Sequence, residues 1–479
     1  MLSSSWSRSK YISWCILFFA ALNVIFLGGK RRAFGIFVAQ LQVEFNDTSL
    51  AELNWIGDSY AALGYMTTSV TTSAVIASGR NFRLFQLSGA FFIFFSCLTS
   101  AYVPNPHWLF VTHTILHGIG SSLILGTVGL VVNEHFDKNH KYHILATTLV
   151  SGGSVASIVF VQFYAFLIET YGWRLSFIIL GILYFFVNSS AALVFAKNPA
   201  KVNYQSTKCS WNLLAKIHPL QTVLLVLWTI DRIMTSIVTY GLLLNLAYFM
   251  RRSEASLQKS APLTTLFAAG EASSYLIGTV TSALTQNLLK NRLKYILLTM
   301  TPICSVLLIV WEALPDHKGV MSLTFAYFSG LCLGPSITFL FPAGEELTLL
   351  PGHLAYPFSL AGMGMGMLLS PIFSALIAQM FKFKYFFFVQ GIMTTIKFCC
   401  LLVCVLIVHR YGARIRAHTV VEREPHDSET SLLGREDARS LDEIDVESCE
   451  QENRISSVYR KNSTRFSRSN SQERKSHSS

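Results

Sequence analysis

The sequence predicts an all-α polytopic membrane protein of twelve transmembrane helices, arranged as two halves of six. Three observations carry that expectation. Hydrophobic residues make up 52% of the 479 and charged ones only 14%, with 36 phenylalanines, a balance too apolar for a water-soluble protein of this size. Apolar runs recur almost end to end, each long enough to cross a hydrocarbon core of about 30 Å at about 1.5 Å per residue. The longest break between them, KNPAKVNYQSTKCSWNLLAKIHP at 197–219, carries four lysines and divides the runs six and six.

In chain order, residues 1–11 form a short polar N-terminus and 12–42 the first span. WCILFFAALNVIF is followed by GGKRR rather than by a small-residue cleavage site, so this span is expected to stay in the protein. Spans at 53–78, 83–104, 107–132, 143–169 and 174–196 complete the first half, residues 12–196. After the central loop 197–219, the second half, 220–409, holds spans at 220–249, 262–286, 294–314, 320–350, 354–380 and 384–409. The small-residue texture of SGGSVAS (151–157) and LAGMGMGMLLS (360–370) suits close helix packing. Residues 410–479 are rich in Ser, Arg and Glu with almost no aromatics, too polar to bury a core, and are expected to be a disordered tail.

Basic residues orient the chain. The inner segments of the first half and the central loop carry Arg8, Lys10, Arg80, Arg83, Lys138, Lys141, Lys197, Lys201, Lys208 and Lys216, whereas the outer loops of that half carry only Arg174. Both termini are therefore expected in the cytoplasm, although Arg251, Arg252 and Lys259 fall in an outer loop of the second half. Most of the formal charge of +11 lies in these loops and the tail, so topology explains it and the expected partner is the bilayer, not nucleic acid. Asn46-Asp-Thr48 makes Asn46 a candidate glycosylation site in the first outer loop, with the plasma membrane as the default address. The nine cysteines show no metal spacing and read as reduced packing residues. No phosphate-cradling glycine loop with lysine, zinc spacing or nucleophile elbow is present. No enzyme activity, metal or cofactor is expected.

Charges inside apolar helices are the candidate site residues, because each costs on the order of 3 kcal/mol at membrane depth even on a lenient scale. Lys30, Arg31 and Arg32 interrupt the first span. Either the helix ends at Gly29 and the cations anchor it at the interface, or it continues over about 46 Å and they face something inside. Successive helical positions differ by about 100°, so the three cannot share one cavity. Asp231 and Arg232 lie about mid-depth in the seventh span and Glu271 deep in the eighth; either acid is a candidate proton carrier. His113 and His117, four apart on one face, are a candidate relay. Glu345 and Glu346 lie late in the tenth span as candidate gate residues, and Lys397 in the twelfth is expected to snorkel or pair.

Six plus six spans about a basic loop resembles the layout of the major facilitator superfamily. YGWRLSFIILGILYF (171–185), HFDKNHKYHILATTLVSGG (135–153) and FNDTSLAELNWIGDS (45–59) resemble the monocarboxylate transporter family at the starts of its sixth, fifth and second spans. The resemblance covers about the first 200 residues well and the rest loosely. It implies a lysine in the first span as partner of an anionic substrate, a position that Arg32 matches counting back from Phe45. It also makes spans 1 and 7 symmetry mates, so a cation on the first facing Asp231 is an expected switch pair. The chain departs from that pattern in SRSKYISWC, where the family opens on an acidic-Gly-Gly-Trp-Gly-Trp signature, and in FAAGEASSYLIGTV, where Glu271 stands near the family's aspartate with no arginine.

The function these observations imply is secondary active or facilitative transport of small organic anions by alternating access, with the proton as candidate co-substrate. Arg32 and Arg31, with Asp231 and Arg232, would bind the solute, and Asp231 and Glu271 would couple protons. The alternatives are a facilitator of neutral or zwitterionic solutes such as amino acids, and a non-transporting sensor or accessory protein of the same fold. The family resemblance also raises a single-span accessory subunit as a candidate partner.

Overall fold

The computed structural model describes residues 2–45, 47–48, 50–152, 157–198, 218–252, 257–313, 320–381 and 385–421; at some of these positions, Arg32 among them, the side chain lies outside the description. The described residues are almost wholly helical. We number the rods α1 to α12. In the first half, α1 is Leu2–Glu44, α2 is Leu50–Met66 continued by Thr68–Ala77, and α3 is Phe82–Ala101. A π turn, Phe110–Ile115, leads into Leu116–His135 to make α4. The fifth rod, α5, is His143–Ser151 together with 157–171, and α6 runs from 173 to Val194. In the second half, α7 is Pro219–Arg252, α8 Leu257–Leu284 and α9 Leu293–Glu312. Val320–Thr338 and Leu340–Thr348 form α10, Gly352–Phe381 is α11, and Phe386–Val421 is α12. Among the described residues nine helices are long and apolar enough to cross a membrane by length and composition. The others among the twelve rods are interrupted or carry more polar residues.

Gly172 divides α5 from α6. Its φ of 73° lies in the left-handed region that side chains disfavour, so the chain can turn there within one residue. The two residues that follow tie the turn down. Trp173 Nε1 donates to Glu44 at the end of α1, and Arg174 donates to the carbonyls of Ala101 and Val103 at 3.1 Å each, at the end of α3. The Gly-Trp-Arg phrase is thus the knot that joins α1, α3 and α6 at one end of the first half.

The basic run does not end α1, which is helical through Gly28, Gly29 and all three cations. Gly29 serves packing instead: a Cβ there would stand 2.5 Å from the ring of Phe160 on α5. The first helix also begins before residue 12, and the last continues past 409 to Val421.

The halves meet where α2 packs on α11, α5 on α8 and α10, and α4 on α11. Several of the contacts across this seam gather at the end that carries the α4–α5 and α10–α11 turns. His143 Nε2 lies 2.8 Å from Glu345 Oε2, the Phe341 amide donates to Ser151 Oγ at 3.3 Å, and Tyr275 donates to the Leu149 carbonyl at 3.2 Å. Beside them Phe341 stacks on Tyr356 of its own half at 4.6 Å, and deeper along the seam the backbone of α11 approaches α2 so closely that a Cβ on Gly364 would stand 2.7 Å from the Ala62 carbonyl. This mouth of the bundle is shut.

Candidate functional site

The 100° step along α1 sends neighbouring cations into different surroundings. Lys30 turns into the first half and is 1% exposed. Its Nζ lies 3.1 Å from His117 Nδ1 and 3.6 Å from Cys97 Sγ, with the rings of Tyr60 and Tyr184 at 5.5 and 5.6 Å. His113 stacks on Phe34 at 4.7 Å and on His117 at 5.3 Å. Neither of its ring nitrogens has a hydrogen-bond partner among the described residues. The two histidines share one cluster with Lys30, away from the seam.

Arg31 turns toward the seam. Its guanidinium donates to the Tyr65 hydroxyl on α2 at 3.0 Å and lies over the Tyr240 ring on α7, 4.6 Å from the centroid. It therefore touches both halves at once. Asp58 on α2 is within electrostatic reach of it. Arg31 Nε and Asp58 Oδ2 are each buried without a hydrogen-bond partner among the described residues. Buried polar atoms are nearly always paired, and a charged donor left so costs more than a neutral one. A buried donor and a buried acceptor thus stand unsatisfied within electrostatic reach of each other. Arg32 is helical, and its side chain lies outside the description.

The second half gathers its own buried charge. Arg232 Nε donates to Asp231 Oδ2 at 2.8 Å, its Nη1 donates to the Ser336 carbonyl on α10, and its guanidinium lies 4.0 Å from the centre of the Trp228 ring. Lys397 on α12 donates to Ser336 Oγ at 2.6 Å and is close enough to feel Asp231. Asp231 is thus held by its own chain neighbour inside the half. The expected pairing with a cation of α1 is not made among the described residues. Glu271, 3% exposed, sits where α8 crosses α10, its Cα 3.4 Å from the place a Cβ on Gly334 would take.

At the shut mouth, Glu345 pairs with His143 across the halves, whereas Glu346 stays within its own half, 3.8 Å from Lys294 and accepting from the Leu293 amide at 3.2 Å. His143 Nδ1 also faces the Phe136 carbonyl at 2.8 Å. Both ring nitrogens of His143 look at acceptors, so a proton must be shared between this ring and Glu345. Asn46 lies outside the described residues. No group of three or more His, Cys, Asp or Glu that could hold a metal occurs among the described residues.

Sequence reasoning missed Asp58, Tyr65, Tyr240 and His143. Asp58 had a signal, being an acid in the apolar helix Leu50–Met66. The tyrosines had none, because a tyrosine in a span is ordinary until a cation is seen beside it.

The family model described as Major Facilitator Superfamily matches residues 2–348. Monocarboxylate transporter 9 of Gallus gallus is 23% identical over 171 residues, which is 36% of this chain and 32% of the relative. The protein of that name from Pongo abelii aligns with the same figures. The chain thus spans about a third of the length of these curated relatives. Among solved structures, the proton:xylose symporter XylE bound to 6-bromo-6-deoxy-D-glucose superposes with a TM-score of 0.57 at 14% identity, over 84% of this chain and 96% of that one. At that identity the likeness speaks for the fold alone.

Proposed function

The chain belongs to the major facilitator superfamily, a family of membrane transporters, and on that premise we propose that it carries small organic anions of the monocarboxylate type by alternating access between its halves. The observation that carries the reading is Arg31, a guanidinium at the seam that contacts Tyr65 on one half and Tyr240 on the other and keeps a buried Nε free. A carboxylate is the natural partner of such a fork. Binding it would draw the two halves together, which is what an alternating-access carrier needs its solute to do. Arg32 is a second candidate contact from the same turn.

Asp231 and Glu271 stand as candidate coupling acids, and the Lys30–His117 pair is a third place where a proton can be held. The shut mouth would face the cytoplasm, with both termini on that side and Asn46 outside in the plasma membrane. One observation favours a second reading. Asp58 beside Arg31 offers an acid as well as a base, the pair that would hold the ammonium and carboxylate of an amino acid.

Uptake of a labelled monocarboxylate panel and an aromatic amino-acid panel into proteoliposomes, with and without an acid-outside gradient, tests both. Carboxylate uptake in the wild type that falls at least tenfold in Arg31→Gln supports the first reading. Amino-acid uptake lost in both Arg31→Gln and Asp58→Asn supports the second. Carboxylate uptake untouched by Arg31→Gln and by Arg32→Ala would remove the charge-partner mechanism while leaving the fold as it is.

A further inference from the structure

A cavity of about 300 Å³ opens at the shut mouth, and both halves build it. The first half contributes Lys138, His140 and Lys141 from the turn between α4 and α5; the second contributes Lys290 and Asn291 from the turn before α9, and Glu345 and Glu346 from α10. The charges do not cancel. Glu345 is engaged by His143 at 2.8 Å, and Glu346 by Lys294 and the Leu293 amide. Lys138, Lys141 and Lys290 are exposed and make no ion pair among the described residues. Two helices, α5 from His143 and α9 from Leu293, also begin at this cavity, and their N-termini add partial positive charge.

We propose that this cavity binds a phosphate-bearing anion that bridges the two halves and holds the mouth shut. Three ammonium groups exceed what one carboxylate neutralises, and a diphosphate or a phosphorylated headgroup presents several oxygens to several donors at once. The volume is at the small end for ligand sites, which suits a headgroup or a diphosphate. Because Lys138 and Lys290 belong to different halves, the site is whole only while those halves are together. A ligand that needs both selects the shut state and slows the swing in proportion to its occupancy. The site lies apart from Arg31, and the inference holds whatever solute is carried.

Phosphate can come from water or from lipid, and the test separates the two. Thermal unfolding of the purified full-length protein is followed in detergent with inorganic pyrophosphate, with acetate at matched ionic strength as control, and in nanodiscs with and without a phosphorylated inositol lipid. A saturable rise in Tm with pyrophosphate but not acetate supports a soluble phosphate. A rise confined to the phosphoinositide nanodiscs supports a headgroup. In either case Lys138→Gln and Lys290→Gln, at exposed positions that leave the unliganded Tm unchanged, should each weaken the half-saturating concentration several-fold, and together at least tenfold. Hydrogen exchange should slow in residues 138–144 and in 290–293 at the same ligand concentration. Absence of a saturable shift from both sources, survival of the shift in the double variant, or slowing in one of the two turns alone would overturn the proposal.

Discussion

A three-residue basic run inside one helix is resolved by rotation. Lys30 and Arg31 are covalent neighbours, yet one is sunk among histidines and tyrosines of a single half while the other reaches across to Tyr240. The sequence allowed the conclusion that the run must split, because 100° per residue is a property of the backbone. It could not say which residue took which direction, since absolute phase is set by packing against Phe160 and the rest of the first half. Arg32 matches the family's lysine position, but its side chain lies outside the description, whereas Arg31 contacts Tyr65 and Tyr240. Those partners define a graded test. Tyr65→Phe deletes one hydrogen bond to a charged donor, worth about 1.5–3 kcal/mol, so with the fold intact the solute KM is expected to rise, by up to roughly a hundredfold, and carboxylate flux to fall with it. Arg31→Lys keeps the charge but loses the planar fork, and carboxylate flux should fall further than in Tyr65→Phe. Uptake kinetics on the two variants side by side check this; equal KM values for both variants and wild type would remove Arg31 from the solute path.

Among helices, glycines decide how near two rods come. Where α8 crosses α10, a Cβ on Gly270 would stand 2.1 Å from the Tyr327 carbonyl, and one on Gly330 2.1 Å from the Phe267 carbonyl. These obstacles are backbone atoms and cannot rotate away, so even one methyl must push the helices apart. Gly330→Ala is expected to lower the Tm of the purified protein by several degrees, and Gly270→Ala to do the same. By contrast Gly35→Ala, where a Cβ would meet nothing within 4 Å, should be neutral or slightly stabilising through its better helix propensity. Differential scanning fluorimetry on the three variants settles the comparison, and a Gly330→Ala protein as stable as wild type would mean that the two helices part there at no cost. Small-residue runs such as LAGMGMGMLLS announced close packing in advance. The α8–α10 glycines did not, because Gly270 and Gly330 lie 60 positions apart and only the fold brings them together.

For the whole molecule, the twelve-rod plan was readable because hydrophobic length and a basic central loop are written directly in composition. The conformational state was not, because it depends on which turns meet across the seam: His143 with Glu345, Phe341 with Ser151, Tyr275 with Leu149. Gly152 marks how tightly that mouth is closed, since a Cβ there would fall within the ring of Tyr275 on the opposite half. Any side chain at 152 must displace Tyr275 or part the halves. Displacing the ring breaks its hydrogen bond to Leu149, so both routes weaken the shut mouth relative to the opposite state. Gly152→Val should therefore shift the population toward a parted mouth, a shift of about 1.4 kcal/mol being tenfold in the equilibrium. Leu360 on α11, 2% exposed within the apolar cluster that both halves share, reports it. A cysteine placed there should be labelled by a water-soluble thiol reagent several-fold faster in the Gly152→Val background, with peptide-level mass spectrometry separating it from the exposed Cys15 and Cys399. If the rate at 360 is unchanged while the reagent reacts normally with a free thiol in the same sample, the halves absorb the side chain without parting and the seam is not the moving element. If it rises, and the phosphate-bearing anion proposed for the lysine cavity lowers it again, the mouth is a two-state gate that one wedge opens and one bridge closes.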